Sequence, residues 1–308
     1  MEVFFQHLIN GLVLGSIYAL IALGYTMVYG ILELINFAHG EVAMMGAMVF
    51  LTILNALLIS SGLPLVFVLV IGLIGAMGFC LVLGYSIERV AYRPLRNAPR
   101  LAPLITAIGI SIILQNVAML IWGKRPQSFP EVVPVVRYEI FGPSITNVQI
   151  LIIILAVVLM AALWFLIHRT RLGRAMRATA QSPALASLMG VNPNTIISFT
   201  FMIGGALAAV AGVMVTAYYG TAHYVMGFML GLKAFTAAVL GGIGNIAGAM
   251  LGGLLLGLIE TLGAGYIEVM TFGYMGSNYK DVFAFIVLIL VLVFRPSGLL
   301  GERVGDRA

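Results

Sequence analysis

Charged residues are scarce in this chain: 16 Lys and Arg and 11 Asp and Glu make up 9% of its 308 residues, against 62% apolar residues and a mean hydropathy of +1.11. A soluble domain usually carries about 25% charged residues. So few charges cannot coat a water-facing surface, and the composition indicates a polytopic membrane protein. Cysteine is nearly absent as well. Cys80, alone in an apolar run, can form no intrachain disulfide and offers no framework for a metal. No G-x-x-x-x-G-K-[ST] segment occurs, so any ATP that powers this chain must be bound by another polypeptide, and no cofactor is expected here. His7, His39, His168 and His223 fall in separate segments, without H-E-x-x-H or G-x-S-x-G, so no catalytic set can be assembled and the chain reads as a non-enzyme. The opening MEVFFQHLIN lacks the basic stretch of a signal peptide, and the first span is expected to stay attached.

The charge that is present is concentrated. Of the basic residues behind the net charge of +5, Arg89, Arg93, Arg96 and Arg100 form one group, Arg169, Arg171, Arg174 and Arg177 a second, and Arg295, Arg303 and Arg307 a third. Nucleic-acid binding would need them on one folded face, and here apolar spans separate them. Basic connections beside spans stay on the cytoplasmic side, which places all three groups inside, against membrane lipid. Apolar runs near the 20 or so residues of a span lie at roughly 8–29, 41–61, 64–87, 101–122, 148–167, 195–219, 226–243, 246–262 and 281–294. The expected fold class is therefore all-α, one transmembrane domain over residues 1–308 with about 8–10 membrane helices. Residues 123–147, rich in proline, read as an outer (periplasmic) loop, and 168–194 as an inner loop containing a short helix. Nine simple spans put the N-terminus outside; a broken or re-entrant element near 30–47 would change that count.

That element is expected at ELINFAHGEV, residues 33–42, where Glu33, Asn36, His39 and Glu41 interrupt an apolar stretch. Asn36 suits an N-cap for a helix starting at Phe37, with Glu41 near its positive dipole end. At the membrane surface this is only a helix start. Deeper, it could line a passage in which helix N–H groups meet a substrate carboxylate. Asn36, His39 and Glu41 are the candidate passage residues, with Lys233 a further one. Isolated charges in a bilayer cost several kcal/mol, on the order of the insertion scale, so Lys233 should either pair with Glu260 or snorkel to outer head groups. GGIGNIAG, residues 241–248, contains a dinucleotide-like G-x-G-x-x-A, but a span precedes it and it reads as a tight turn. Glycines four apart (Gly11 and Gly15, Gly227 and Gly231, Gly248 and Gly252, Gly253 and Gly257) read as helix-packing faces. A proton-coupled secondary transporter using Glu33, His39, Glu41 or Glu260 is a rival class.

The inner segment RLGRAMRATAQSPALASLMGVNPNT, residues 171–195, suggests a short amphipathic helix over Ala178–Met189, with Pro183 near its start and Gly190 at its stop. Such a segment suits docking to a cytosolic partner, or lying on anionic lipid. GSIYALIALGYTMVYGILELINFAHGE, SIERVAYRPLR, LITAIGISIILQN, GLKAFTAAVLGGIG and YKDVFAFIVLILVLVFRPSGLLG together resemble the LivH-type inner-membrane permeases of high-affinity branched-chain amino acid ABC importers, end to end and in order. The resemblance implies a bacterial inner-membrane subunit for leucine, isoleucine and valine. Its implied partners are a second related permease, two cytosolic ATP-binding subunits and a periplasmic amino-acid-binding protein. It also implies coupling to the ATPases through Pro183, Ala184, Ala186, Leu188 and Gly190. Relatives of this architecture carry urea or short amides, so these are the alternative substrates.

Overall fold

A computed structural model describes residues 2–60, 62–96, 98–99, 101–130, 134–139, 142–270 and 280–301. Arg100, Arg303 and Arg307 lie outside these residues. The elements run α1 (Glu2–Leu32), α2 (His39–Ser60), α3 (Leu65–Ile87), α4 (Leu101–Trp122), strands β1 (Gln127–Ser128), β2 (Arg137–Glu139) and β3 (Ser144–Thr146), α5 (Asn147–Arg169), α6 (Arg171–Gln181), α7 (Pro183–Leu188), α8 (Pro193–Tyr219), β4 (Thr221–Ala222), α9 (Met226–Gly241), α10 (Ile246–Met270) and α11 (Lys280–Phe294). Among the described residues, seven helices are long and apolar enough to cross a bilayer, and Met226–Gly241 and Asp281–Phe294 are shorter apolar helices. The chain is an all-α, multi-pass membrane protein. The helix starts differ from expectation mainly at α1, which begins at Glu2 rather than near residue 8.

The chain divides into two compact units. One comprises residues 27–134 and 161–232. Its centre is α2, α3 and α8, whose backbones meet through glycines. A Cβ on Gly84 or Gly205 would strike the backbone of Phe201 or Cys80, and one on Gly212 the carbonyl of Ala43. Small residues of this kind allow close helix approach where lipid tails give no hydrophobic drive. Past Ile87, Pro94 has no N–H to continue an α-helix. The helix loosens into a π turn at Glu88–Tyr92, with Arg93 N–H donating to Glu88 O, and ends in a 3-10 turn at Arg93–Leu95. On the opposite side β1 pairs with β4, joining the 123–147 loop to the α8–α9 connection.

The other unit comprises residues 1–26, 135–160 and 233–308. Here α1 packs on α10 glycine against glycine. Gly257 abuts Gly15 and Gly11, and Gly253 abuts Ala19. GGIGNIAG is the turn between α9 and α10, with Gly242 at φ 108° and Gly244 at φ 96°, backbone that favours glycine. Asn245 caps α10 by accepting from Gly248 N–H at 3.0 Å. Leu299 and Leu300 donate N–H bonds to the α9 carbonyls of Leu240 and Gly241, which closes the turn from the far side.

The N-terminal end of α1 can be placed from its partners. Gln6 accepts from Ser144 N–H at 2.8 Å and donates to Ser144 O at 3.0 Å, while Gln149 donates to Asn10 at 3.3 Å. This end therefore lies level with β3 and the start of α5.

Candidate functional site

The break expected near residues 30–47 is the link 33–38. Glu33, exposed, ends α1 at φ 53°, in the left-handed region, with its N–H on Tyr29 O at 2.8 Å. Asn36 then organises the entry to α2. Its Oδ1 accepts from Ala38 N–H at 3.2 Å, and its carbonyl from His39 N–H at 3.0 Å. The helix thus starts at His39 and not at Phe37, because Phe37 and Ala38 form the turn that Asn36 holds. Tyr92 from the π turn donates its hydroxyl to the same Oδ1 at 3.0 Å.

This helix start is buried deeply. Asn36 and His39 are 4% and 2% exposed, and Glu41 is fully buried. Glu41 Oε1 accepts from Gln115 Nε2 at 2.6 Å and from Ser111 Oγ at 3.2 Å, both on α4. Further along, Trp122 at the end of α4 donates to Thr52 of α2 at 2.7 Å, so the two helices run side by side in one direction. Leu101 to Ser111 covers about 15 Å of helix. Glu41 therefore stands about halfway along α4. Gly227 and Gly231 of α9 have no side chains here, which lets their backbone close on Gly40 and on the Glu41 carboxylate. Among the described residues, Glu41 Oε2 has no hydrogen-bond partner.

Lys233 lies in the other unit, with partners of its own. Its Nζ is 2.7 Å from Glu260 Oε1 and 2.5 Å from Asp281 Oδ1, and Tyr18 donates to Glu260 Oε2 at 2.9 Å. It is 6% exposed near the middle of α9, so it pairs and does not snorkel. Tyr18 escaped the sequence reading, and Asp281 was read only as the interfacial start of the last apolar run, not as a partner of Lys233. Asp281 opens α11, where an acid is a common helix-start residue, and nothing local announces its partner.

The loop over residues 168–194 holds two helices where one over Ala178–Met189 was expected. Ser182 is extended at φ −160°, and Pro183 starts α7 afresh, so Ala178–Gln181 belong to α6. Ser182 Oγ caps α7 by accepting from Leu185 N–H at 3.3 Å. Gly190 at φ 81° stops the helix, and Val191 N–H returns to Ala186 O at 3.0 Å. Pro183, Ala184, Leu188 and Gly190 are exposed, whereas Ala186 is buried and anchors α7 to the rest of its unit. Leu185 and Met189, absent from the expected set, share the exposed apolar surface with Leu188.

A family profile described as branched-chain amino acid transport system, permease component, matches residues 7–292. The chain is 49% identical over 304 residues to the high-affinity branched-chain amino acid transport system permease protein LivH of Escherichia coli K12, covering 97% of this chain and 96% of that one. It is 50% identical over 307 residues to the corresponding protein BraD of Pseudomonas aeruginosa, with the same two coverages. A probable branched-chain amino acid transport permease protein LivH of Methanocaldococcus jannaschii is 29% identical over 293 residues, 95% of this chain and 91% of that one.

Proposed function

Since this chain belongs to the family of branched-chain amino acid transport system permease components, we propose that it is one of two related permease subunits of a binding-protein-dependent ABC importer in a bacterial inner membrane. Leucine, isoleucine or valine delivered by a periplasmic binding protein passes beside the start of α2, where Asn36, His39 and Glu41 stand. Two cytosolic subunits bind ATP and dock on α7. Their closure and opening move the inner end of α8, and the chain itself does no covalent chemistry. The relatives are transport permeases and not enzymes, in keeping with this.

The observation that carries the passage assignment is the burial of a polar helix start halfway along α4. Polar groups at such a depth are expensive in lipid and tend to mark substrate paths. The Glu41 carboxylate offers an acceptor to a substrate ammonium, and the first N–H groups of α2 offer donors to its carboxylate.

The test is leucine uptake into proteoliposomes containing this chain, with and without its second permease, ATP-binding subunits and binding protein. Uptake is expected only with the full set and ATP. Uptake by this chain alone under a pH gradient would refute the reading in favour of a secondary transporter.

A further inference from the structure

Glu88 lies outside the passage and the docking helix, and Tyr92 meets the passage only through Asn36, yet both are almost wholly buried, and they begin and end the π turn. Glu88 is a carboxylate among the arginines of an inner connection, where solvent would ordinarily take it. Instead it is fully buried. Its Oε1 is paired with Arg96, and its Oε2 accepts from Ser198 Oγ at 2.6 Å. Arg96 also donates to Asn194 Oδ1, and the Ser198 hydroxyl, whose single proton goes to Glu88, lies 3.0 Å from Asn194 O. Asn194 and Ser198 form the first turns of α8. That start is capped by Asn192, which follows α7 directly after the stop at Gly190.

The opposite end of the π turn faces the passage. Tyr92 lays its ring against Phe201 of α8, centroids 5.2 Å apart, and its hydroxyl holds Asn36. A continuous set of contacts therefore runs from α7 through the start of α8, Arg96 and Glu88, along the π turn to Tyr92, and on to the entry of α2. All of it lies within one unit. A buried carboxylate leaves a large penalty if any one partner departs, so Glu88, Arg96 and the start of α8 should move together. A π turn carries one extra residue in its hydrogen-bonded ring, a feature that recurs at functional positions.

We propose that Tyr92 is a positioning residue for transport: its hydroxyl sets Asn36 and the start of α2, and the Glu88–Arg96 pair fastens the turn that carries it to the inner end of α8. Displacement of α7 is thereby delivered to the polar helix start. This inference rests on the passage and docking reading above, and its test separates the two.

Leucine uptake and ATP hydrolysis are measured together in proteoliposomes of the full importer. Tyr92→Phe keeps the ring against Phe201 and removes one donor. The complex is expected to co-purify, with ATP hydrolysis within about twofold of normal and leucine carried per ATP lowered about fivefold, the scale of one neutral hydrogen bond. Glu88→Gln, which keeps the shape and an acceptor for Ser198, is expected to lower the same ratio. Combining Tyr92→Phe with Asn36→Ala should reduce transport no further than Asn36→Ala alone. A normal ratio in Tyr92→Phe with a reduced one in Asn36→Ala would overturn the positioning role and leave the passage standing. Normal transport in Asn36→Ala would overturn the passage reading itself. Equal losses of uptake and hydrolysis in Tyr92→Phe and Glu88→Gln would mark a purely structural part and overturn the inference.

Discussion

Replacing Lys233 with Met tests whether the charged set of α1, α9, α10 and α11 is a lock. In the native chain the ammonium faces two carboxylates, Glu260 at 2.7 Å and Asp281 at 2.5 Å. Removing one partner of a buried pair costs about 3–5 kcal/mol, because the other charge is left behind. The two acids are not equivalent. Asp281 has a side chain 32% exposed and can turn outward, whereas Glu260, at 2%, keeps only the Tyr18 hydroxyl. The penalty therefore falls on Glu260, and Lys233→Met should destabilise by about 3–4 kcal/mol. Glu260→Gln is milder, because Lys233 retains Asp281. Its cost should be about 1–2 kcal/mol, the difference between a charged and a neutral acceptor. The double variant buries no unpaired charge at Glu260 and should be more stable than Lys233→Met alone. Equilibrium unfolding of the purified subunit in mixed micelles measures all three. Additive losses, or a Glu260→Gln variant weaker than Lys233→Met, would refute the lock.

Two further outcomes follow from the packing and from α7. Gly212→Ala places a Cβ on the Ala43 carbonyl and should lower stability by about 1–3 kcal/mol. Gly78→Ala, whose Cβ would meet nothing within 4 Å, should be neutral or slightly stabilising; equal thermal shifts in detergent for the two would show that the α2–α8 contact is loose. Leu188→Glu, at a side chain 82% exposed on α7, should leave insertion intact while weakening association with the ATP-binding subunits about tenfold, a fraction of the value of one buried leucine. Undiminished co-purification with normal ATP-driven uptake would move the docking surface elsewhere.

The apolar runs were legible because each span must be long and continuous, and the ends that moved did so for reasons outside any local pattern. Gln6 and Asn10 interrupt the apolar run before residue 11. They are helical because Ser144 and Gln149, more than a hundred residues away, satisfy them. Gly15 and Gly257 announced a packing face by their spacing without naming each other as neighbours. Asn36, His39 and Glu41 stood out as polar residues in an apolar stretch, but depth is set by Ser111 and Gln115, ordinary residues of an ordinary span. Glu88 was hidden by its surroundings. Among four arginines it looks solvated, and the available signal was that it directly follows Ile87 at the end of an apolar run. The split of the 168–194 loop at Ser182 was legible in principle, since Pro183 cannot continue a helix hydrogen bond, and the run of alanines on both sides masked it.

The two polar sets inside the span differ in how easily they can change partners, and this favours one of them for transport. Opening the Lys233 set in each cycle would strand a buried charge, at about 3–5 kcal/mol, before a substrate could compensate. Around Glu41 the bound oxygen is held by a hydroxyl and an amide, while among the described residues the other oxygen has no hydrogen-bond partner. Exchanging neutral donors of that kind involves about 0.5–1.5 kcal/mol each, well within what a substrate ammonium can supply when it arrives. Asn36 is likewise held by one hydroxyl and one N–H. On the proposed reading the start of α2 is therefore the part that rearranges, and Lys233, Glu260 and Asp281 form a fixed post for the α9–α10–α11 group.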